Sequence, residues 1–301
     1  ERWEFTGGLR LDYTYYDYDN RTGDGSACGP EATACRFYRP ADRDDDFFNW
    51  SLNFGASYDV SDQHLAYLRL ARGFRAPQAT ELYRLQSGQQ VADLDSEQLG
   101  NIELGWRADW RDDLRTDLSL YLMRKDDVIF QDANRQNISG AKTVHYGLEF
   151  SVDYQFTEDW YLGAVGTLAR HEYDSDVQLL GATGNIKGNV IDSAPEALGS
   201  ARLGWDFSGL SGRDSRAELE WIYLSSYYLE PDNEHEYDGH SLVNLRVTST
   251  FGSSWRGTLR LTNLLDVDYA ERADYGFGNY RYFVGQPLGG YLEVSYQFGQ
   301  N

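Results

Sequence analysis

The sequence predicts an all-β protein, a transmembrane antiparallel up-and-down β-barrel of about twelve strands. Three observations lead there. Apolar and polar residues alternate with a period of two through long runs, which places one set on each face of a strand. The connections between runs alternate between short and long, the asymmetry of barrels that have tight turns at one end and large loops at the other. No run approaches the roughly 20 consecutive apolar residues that a transmembrane helix needs, whereas a barrel stays polar on average because only alternate residues face lipid.

The elements follow in chain order. In Trp3–Tyr15 the odd positions Trp3, Phe5, Leu9, Leu11, Tyr13 and Tyr15 are apolar or aromatic, opposed by Glu4, Thr6, Arg10, Asp12 and Thr14. Even positions carry the pattern in Phe48, Trp50, Leu52, Phe54, Ala56 and Tyr58, and again in Ile102, Leu104, Trp106, Ala108 and Trp110. The clearest run is Thr143–Phe156, where Val144, Tyr146, Leu148, Phe150, Val152, Tyr154 and Phe156 alternate with Thr143, His145, Gly147, Glu149, Ser151, Asp153 and Gln155. Leu219, Trp221 and Tyr223 continue it, and Leu292, Val294, Tyr296 and Phe298 close the chain. Turn-forming clusters of Asp, Gly and Ser then bound strands at 2–18, 46–59, 63–73, 97–110, 114–131, 142–156, 160–174, 196–207, 215–229, 240–251, 255–270 and 288–298. The spans 63–73 and 160–174 alternate less cleanly, and no helix longer than a turn or two is expected.

Short connections fall at Asp59–Gln63, Arg111–Asp113, Thr157–Asp159, Ser208–Asp214 and Gly252–Ser254. Long, polar ones fall between them at Asp19–Asp45, Gly73–Ser96, Asp132–Lys142, Ser175–Pro195, Glu230–Gly239 and Glu271–Pro287. A two-sheet soluble sandwich is the alternative, but it has no reason to gather all its short turns at one end. Its exposed aromatics would also invite aggregation. In a bilayer the same residues form the lipid-facing band, with Trp and Tyr near the interfaces.

Composition narrows the class further. Aromatics make up 15% of the 301 residues, with 30 Gly against 6 Pro, and mean hydropathy is -0.61. Few Pro and only two Cys argue against disorder and against a disulfide scaffold. A net charge of -21 argues against nucleic acid as a partner, because phosphate would be repelled. Glu1 opens the chain without Met or a signal-peptide pattern, so a processed form or a portion of a longer protein is expected.

Four segments carry a resemblance. The run Ala71-Arg72-Gly73-Phe74-Arg75-Ala76-Pro77-Gln78-Ala79-Thr80-Glu81-Leu82-Tyr83 resembles the "GFRAP…ELY" strand exit of TonB-dependent outer-membrane receptors. Asp93-Leu94-Asp95-Ser96-Glu97 resembles the approach to the next strand, with Ser96 where that family usually has Pro. Tyr146-Gly147-Leu148-Glu149 is similar to the following "G-x-E" strand, and Leu261-Thr262-Asn263-Leu264-Leu265-Asp266-Val267-Asp268-Tyr269 to the "N-L-x-D-x-x-Y" penultimate strand. Gly299-Gln300-Asn301 extend beyond the aromatic on which the family usually ends. The resemblance implies a barrel of about 22 strands filled by an N-terminal plug. Residues 1–301 would then be its C-terminal portion, with the plug and about ten strands outside this chain.

It further implies a multi-pass protein of the outer membrane of a Gram-negative bacterium, in contact with lipid, with no catalysis and no resident cofactor. Such a receptor imports a scarce ligand with energy from the inner-membrane TonB complex, which reaches it through the plug. A ferric siderophore is the first expectation for cargo, and cobalamin, haem, an oligosaccharide or a peptide are the alternatives. The competing class is a self-contained barrel of about twelve strands, a passive channel or a membrane-embedded hydrolase, whose first strand would pair with its last.

Candidate ligand-binding residues are those of outer loops that combine Arg, which forks onto anionic oxygens, with Tyr, which offers a ring face and a hydroxyl. They are Arg75, Tyr83 and Arg84 in one loop, Tyr227, Tyr228 and His235 in a second, and Tyr280, Arg281 and Tyr282 in a third. For each, the structural alternative is an aromatic girdle or an ion pair of the wall. Cys28 and Cys35 are expected to form a loop disulfide in an oxidising compartment, with free thiols as the alternative.

Other motifs read as loops. His235-Glu236-Tyr237-Asp238-Gly239-His240 is one residue too long for the H-E-x-x-H zinc motif, and His240-Ser241 has no partner that orients a hydrolase base. Gly181–Gly188 lacks the Lys-Ser/Thr ending of a P-loop. Asp17, Asp19, Asn20 and Asp24 could offer oxygen to Ca²⁺ but lack EF-hand spacing, and a solvated acidic loop is the simpler reading.

Overall fold

The computed structural model describes residues 2–29, 31–32, 34–208, 214–251 and 254–298. The expected turns at Ser208–Asp214 and Gly252–Ser254 fall partly outside these residues, and the tail Gly299–Asn301 wholly so.

Twelve strands form one antiparallel sheet in which each pairs with its neighbour in sequence. Numbered together with the short elements of the long loops, the chain begins with β1 (Trp3–Tyr18), β2 (Gly25–Ser26), β3 (Phe37–Arg39), β4 (Arg43–Ser61) and β5 (His64–Arg75). It continues with α1 (Ala79–Tyr83), β6 (Leu85–Gln86), β7 (Glu97–Arg111), β8 (Leu114–Gln131), β9 (Asn137–Gln155), β10 (Trp160–Tyr173) and β11 (Ala197–Ser208). The last elements are β12 (Asp214–Leu224), β13 (Tyr227–Tyr228), β14 (Glu236–Tyr237), β15 (His240–Phe251), β16 (Trp255–Thr262), β17 (Ala270–Gly276), β18 (Asn279–Val284) and β19 (Gly289–Tyr296). The sheet order is β1-β4-β5-β7-β8-β9-β10-β11-β12-β15-β16-β19, and the two edge strands each have one neighbour in it.

Two of the expected spans are too long. The strand placed at 215–229 ends at Leu224, and after Ser225-Ser226 the chain starts the separate strand β13. The strand placed at 255–270 ends at Thr262, because Asn263 adopts a left-handed backbone (φ 50) that no ladder accommodates. The connection expected at Glu271–Pro287 is largely the hairpin β17–β18.

The distribution of burial is inverted relative to a soluble fold. Phe5, Leu9, Leu11 and Phe48 are 63%, 67%, 63% and 65% exposed, although they lie on the apolar stripe of central strand segments. Such an oily face on alternate strand residues is the pattern of barrels that cross a bilayer. Six of the eight Trp (Trp3, Trp106, Trp110, Trp160, Trp205 and Trp255) sit towards the short-turn end of their strands. Several stack there in a belt, as Trp160 does on Trp205 at 5.5 Å and Trp205 on Phe207 at 4.5 Å. In membrane barrels indole and phenol rings collect in such belts, because one side meets lipid and the other water.

The opposite face is polar and laced by cross-strand ion pairs. Arg107 meets Asp117 at 2.8 Å, Arg115 meets Asp109 at 2.6 Å, and Arg216 meets Asp206 at 2.6 Å. Of these, Asp109, Arg115 and Arg216 border a polar cavity of about 890 Å³ near the short turns.

The buried apolar side chains lie chiefly in the long loops. Leu82, Leu85, Ala92 and Leu94 form one small core, packed by Tyr16, Tyr38, Phe47 and Tyr83. Tyr227, Leu229, Tyr237, Ala270 and Ala273 form a second. The loop after β10 reaches towards both regions. Leu180 N donates to Gln131 O, and Thr183 N and Oγ1 both donate to Asp232. The long loops are therefore a folded cap on one end of the wall.

Candidate ligand-binding site

The first loop cluster is built on the strand exit at Arg75. The Arg75 guanidinium forks onto Glu97 at 2.7 and 2.8 Å and also reaches Glu81 at 2.9 Å. Glu81 in turn accepts from the Gln78 amide at 2.7 Å, which caps the one-turn helix α1. Pro77 is buried, and its carbonyl accepts from Tyr16 Oη at 3.0 Å. Tyr83 Oη donates to Asp45 at 2.8 Å, and its ring stacks on Tyr18 at 4.3 Å. Burial first, and then the Asp45 carboxylate, hold the Tyr83 phenol above the ordinary tyrosine range. Arg84 remains exposed with its guanidinium 4.3 Å from the Phe37 ring. Strands β2, β3 and β6 pair across the first two long loops, and Cys28 and Cys35 are joined by a disulfide in the same region.

In this cluster Arg75 and Tyr83 spend their polar atoms on the protein itself. The run 71–83 acts as a tether that turns the chain out of β5, caps α1 and anchors both to β7.

The second cluster gathers side chains from two loops. Tyr227 Oη accepts from the Ala273 amide at 3.0 Å, and Tyr237 Oη accepts from the Ala270 amide at 3.0 Å. Tyr237 Oη also lies 2.9 Å from His240 Nδ1. Burial raises the Tyr237 phenol above its ordinary value. These two phenols pin β17 against the β13–β14 pair. Half-buried Tyr228 lies beside Tyr227 in β13, and its carbonyl accepts from Ser193 N at 2.8 Å. His235 is held by Glu230 at 3.0 Å and stacks on Tyr275 at 3.6 Å, with Tyr280 edge-on at 5.4 Å.

Above this frame the β17–β18 hairpin presents free ring surface. Tyr280 and Tyr282 lie nearly parallel, 10° between planes and 6.1 Å apart, at 47% and 53% exposure. Arg281 and Arg272 both pair with Asp274, which leaves this trio with one net positive charge. The turn is Phe277-Gly278, both with positive φ (55 and 75), the geometry of a type I′ hairpin. Asn is the ordinary first residue of such a turn; here a left-handed Phe stands 88% exposed at the tip.

The hairpin is held to the wall by a buckle at Asn263, which is only 2% exposed. Its side chain accepts from Val267 N at 2.9 Å and donates to Val267 O at 2.9 Å and Gln286 O at 3.1 Å. Asp266 accepts from Leu288 N at 3.0 Å, and the Tyr269 ring occupies the space in which a Cβ at Gly285 would sit, 2.3 Å away. The Asn, Asp and Tyr of the segment 261–269 thus fasten the end of β16 to the start of β19.

The structure joins Tyr227, Tyr228, His235, Tyr280, Arg281 and Tyr282 into one group, and Arg75, Tyr83 and Arg84 into another. Tyr275, Tyr237 and Phe277 belong to the second group and were not singled out from sequence. For Tyr275 and Phe277 the available signal is the alternation within 270–284, which an Asn-Gly turn would make plain. The other sequence motifs stay structural: His235 and His240 bind Glu230 and Tyr237, Asp19 pairs with Arg21, and Asn20 holds Pro40 O. Among the described residues no three His, Cys, Asp or Glu side chains gather as metal ligands.

Comparison with solved structures gives the same architecture. The ferric yersiniabactin uptake receptor FyuA from Yersinia pestis aligns with a TM-score of 0.79 and 17% identity, over 99% of this chain and 43% of that one. The copper transporter OprC aligns at 0.77 and 19%, over 99% and 46%, and the ferric-catecholate import receptor Fiu from K12 E. coli at 0.74 and 18%, over 98% and 42%. At these identities the likeness concerns the fold, and the chain spans less than half the length of each of the three. None of the curated proteins compared matches in sequence. The family described as "TonB dependent receptor-like, beta-barrel" matches residues 1–264, so this wall of alternating strands belongs to the TonB-dependent receptor β-barrel family.

Proposed function

We propose that residues 1–301 are a C-terminal part of the wall and outer vestibule of an outer-membrane receptor that imports a ferric siderophore without chemical change to it. Energy comes from an inner-membrane TonB complex, acting through a plug domain elsewhere in the full receptor. The observation that carries this reading is the β17–β18 hairpin, whose Tyr280, Tyr282 and Phe277 rings keep exposed faces above the packed Tyr227–Tyr237 frame. Stacking faces and phenol hydroxyls at a loop end suit a bulky, partly aromatic chelate. An exposed left-handed Phe is strain that a ligand contact would explain. Family membership supports uptake across the outer membrane. A self-contained channel would seam β1 to β19, and among the described residues those strands are not paired, which favours the receptor reading.

Direct titration of ferric chelates into the detergent-solubilised full-length receptor tests the cargo. Saturable binding of at least one ferric chelate is expected. Saturable binding of cobalamin, haem or an oligosaccharide, with no ferric chelate bound, would overturn it.

A further inference from the structure

One row of side chains on the polar face has no part in the loop clusters. Antiparallel register sets Asn101 of β7 opposite Met123 of β8, Met123 opposite His145 of β9, and His145 opposite His171 of β10. All four lie on the face that carries Glu103, Ser119 and Glu149, and all four line one cavity of about 310 Å³. Met123 is the only methionine of the chain, and these are two of its five histidines.

The contacts are those of a donor set. His145 Nδ1 and His171 Nδ1 face each other at 2.9 Å. His145 Nε2 lies 2.8 Å from Thr143 Oγ1, and Thr143 is 7% exposed. When Nε2 donates to that hydroxyl, the His145 Nδ1 lone pair points towards His171. A hydrogen bond on the ring's other nitrogen is what orients a histidine ligand at metal sites. Two metal–nitrogen bonds of about 2.0–2.1 Å at a right angle place their nitrogens about 2.8–3.0 Å apart. The observed separation therefore fits two adjacent corners of a tetragonal ion with little movement. Strands stand about 4.8 Å apart, so Met123 and His171 flank His145 at one spacing each, within reach of a flexible thioether. Beyond Met123, Asn101 Oδ1 is buried without a hydrogen-bond partner, an acceptor for a metal-bound water.

We propose that Met123, His145 and His171 form a copper site on the lumenal wall. Two imidazoles suit copper in either oxidation state, and a thioether favours the softer Cu(I). Glu103 and Glu149 line the same cavity with Lys125, and Glu103 also faces Arg69 at 3.8 Å, so the surroundings are near neutral and the two imidazoles and the thioether set the preference for metal. Carboxylate-seeking ions such as Mg²⁺ and Ca²⁺ find too few oxygens in the row itself. The site is independent of the imported cargo, and its test does not depend on ferric-chelate binding.

The experiment uses untagged full-length receptor in detergent, titrated with Cu(II) and, under reductant, with Cu(I). Bound metal is counted after desalting, and the Cu(II) form is read by EPR. One copper per chain with hyperfine structure from two nitrogens is expected. The double variant His145→Gln/His171→Gln should weaken Cu(II) binding by at least about tenfold, the loss that even outer-sphere changes cause at metal sites. Met123→Leu, which keeps side-chain volume, should weaken Cu(I) binding and leave the Cu(II) nitrogen pattern intact. Heat-modifiable gel migration shows that each variant keeps its barrel. Copper bound with unchanged affinity and spectrum by the folded double variant would overturn the proposal. So would wild-type protein that holds no copper after desalting, or a Met123→Leu variant equal to wild type for Cu(I).

Discussion

The two loop clusters use the same residue types to opposite ends. Around Arg75 and Tyr83, arginine and phenol are turned inward, and each polar atom has a carboxylate within 3 Å. Around the β17–β18 hairpin, the inward phenols of Tyr227 and Tyr237 hold backbone amides, while Tyr280 and Tyr282 keep their ring faces outside. An arginine already shared by two glutamates cannot also bind an anion without leaving them uncompensated. The first cluster thus ties the strand exit to the wall, and we propose ligand capture at the second.

The comparison breaks most decisively at the buckle. Asn263→Ala removes three side-chain hydrogen bonds and forces a Cβ-bearing residue without a polar tip to hold φ 50, at an expected local cost of about 3 kcal/mol. Hydrogen exchange should show the amides of 263–288 losing protection while those of β7 and β8 keep it. Equal protection in both regions would mean that the hairpin does not depend on the buckle.

Next in size is the tether. Arg75→Ala leaves Glu81 and Glu97 facing each other, and the half-exposed setting limits the cost to about 2 kcal/mol. Limited proteolysis should then cut within 76–96, and Arg75→Lys should not restore resistance because one ammonium cannot reproduce the fork. Resistance restored by lysine would show that charge alone does the work.

A smaller change separates capture from framework. The double variant Tyr280→Ala/Tyr282→Ala should weaken ferric-chelate binding about tenfold, in line with two lost ring contacts of about 0.5–1.5 kcal/mol each. Both rings are half exposed, so protease resistance of the cap should not change. Loss of resistance without loss of binding would reverse their assignment.

The smallest effect concerns pH. The folded Tyr83 phenol is held above its unfolded value, so its contribution is complete below about pH 10 and fades as pH rises further. Alkaline titration should loosen the first cluster, and Tyr83→Phe should abolish that dependence. A loosening that persists in Tyr83→Phe belongs to another group.

Much of the wall was legible from the chain because period two is a local signal. The run 143–156 has only one arrangement that segregates its residues, and β9 carries it in register with both neighbours. The end of β16 was not legible. Alternation continues nominally past Thr262, yet Asn263 turns the chain by making bonds to Gln286, more than twenty residues away. The hairpin at 270–284 was hidden for a similar reason, since Phe-Gly is not a recognised type I′ turn until β17 and β18 are seen paired. Candidate site residues were found by type and loop, but which atoms remained free depended on partners such as Asp45, Glu97 and Ala273, none of them adjacent in sequence.

Residue alternation and turn chemistry act over a few positions, so the sequence by itself determined the strands, their order, the oily face and the end at which the long loops gather. Tertiary structure decided which arginines and tyrosines were already occupied, and it set Met123, His145 and His171 side by side from three separate strands. The reason is physical: an alternating pattern says which side of a sheet a group faces, whereas its free valence depends on the neighbour that folding brings within 3 Å.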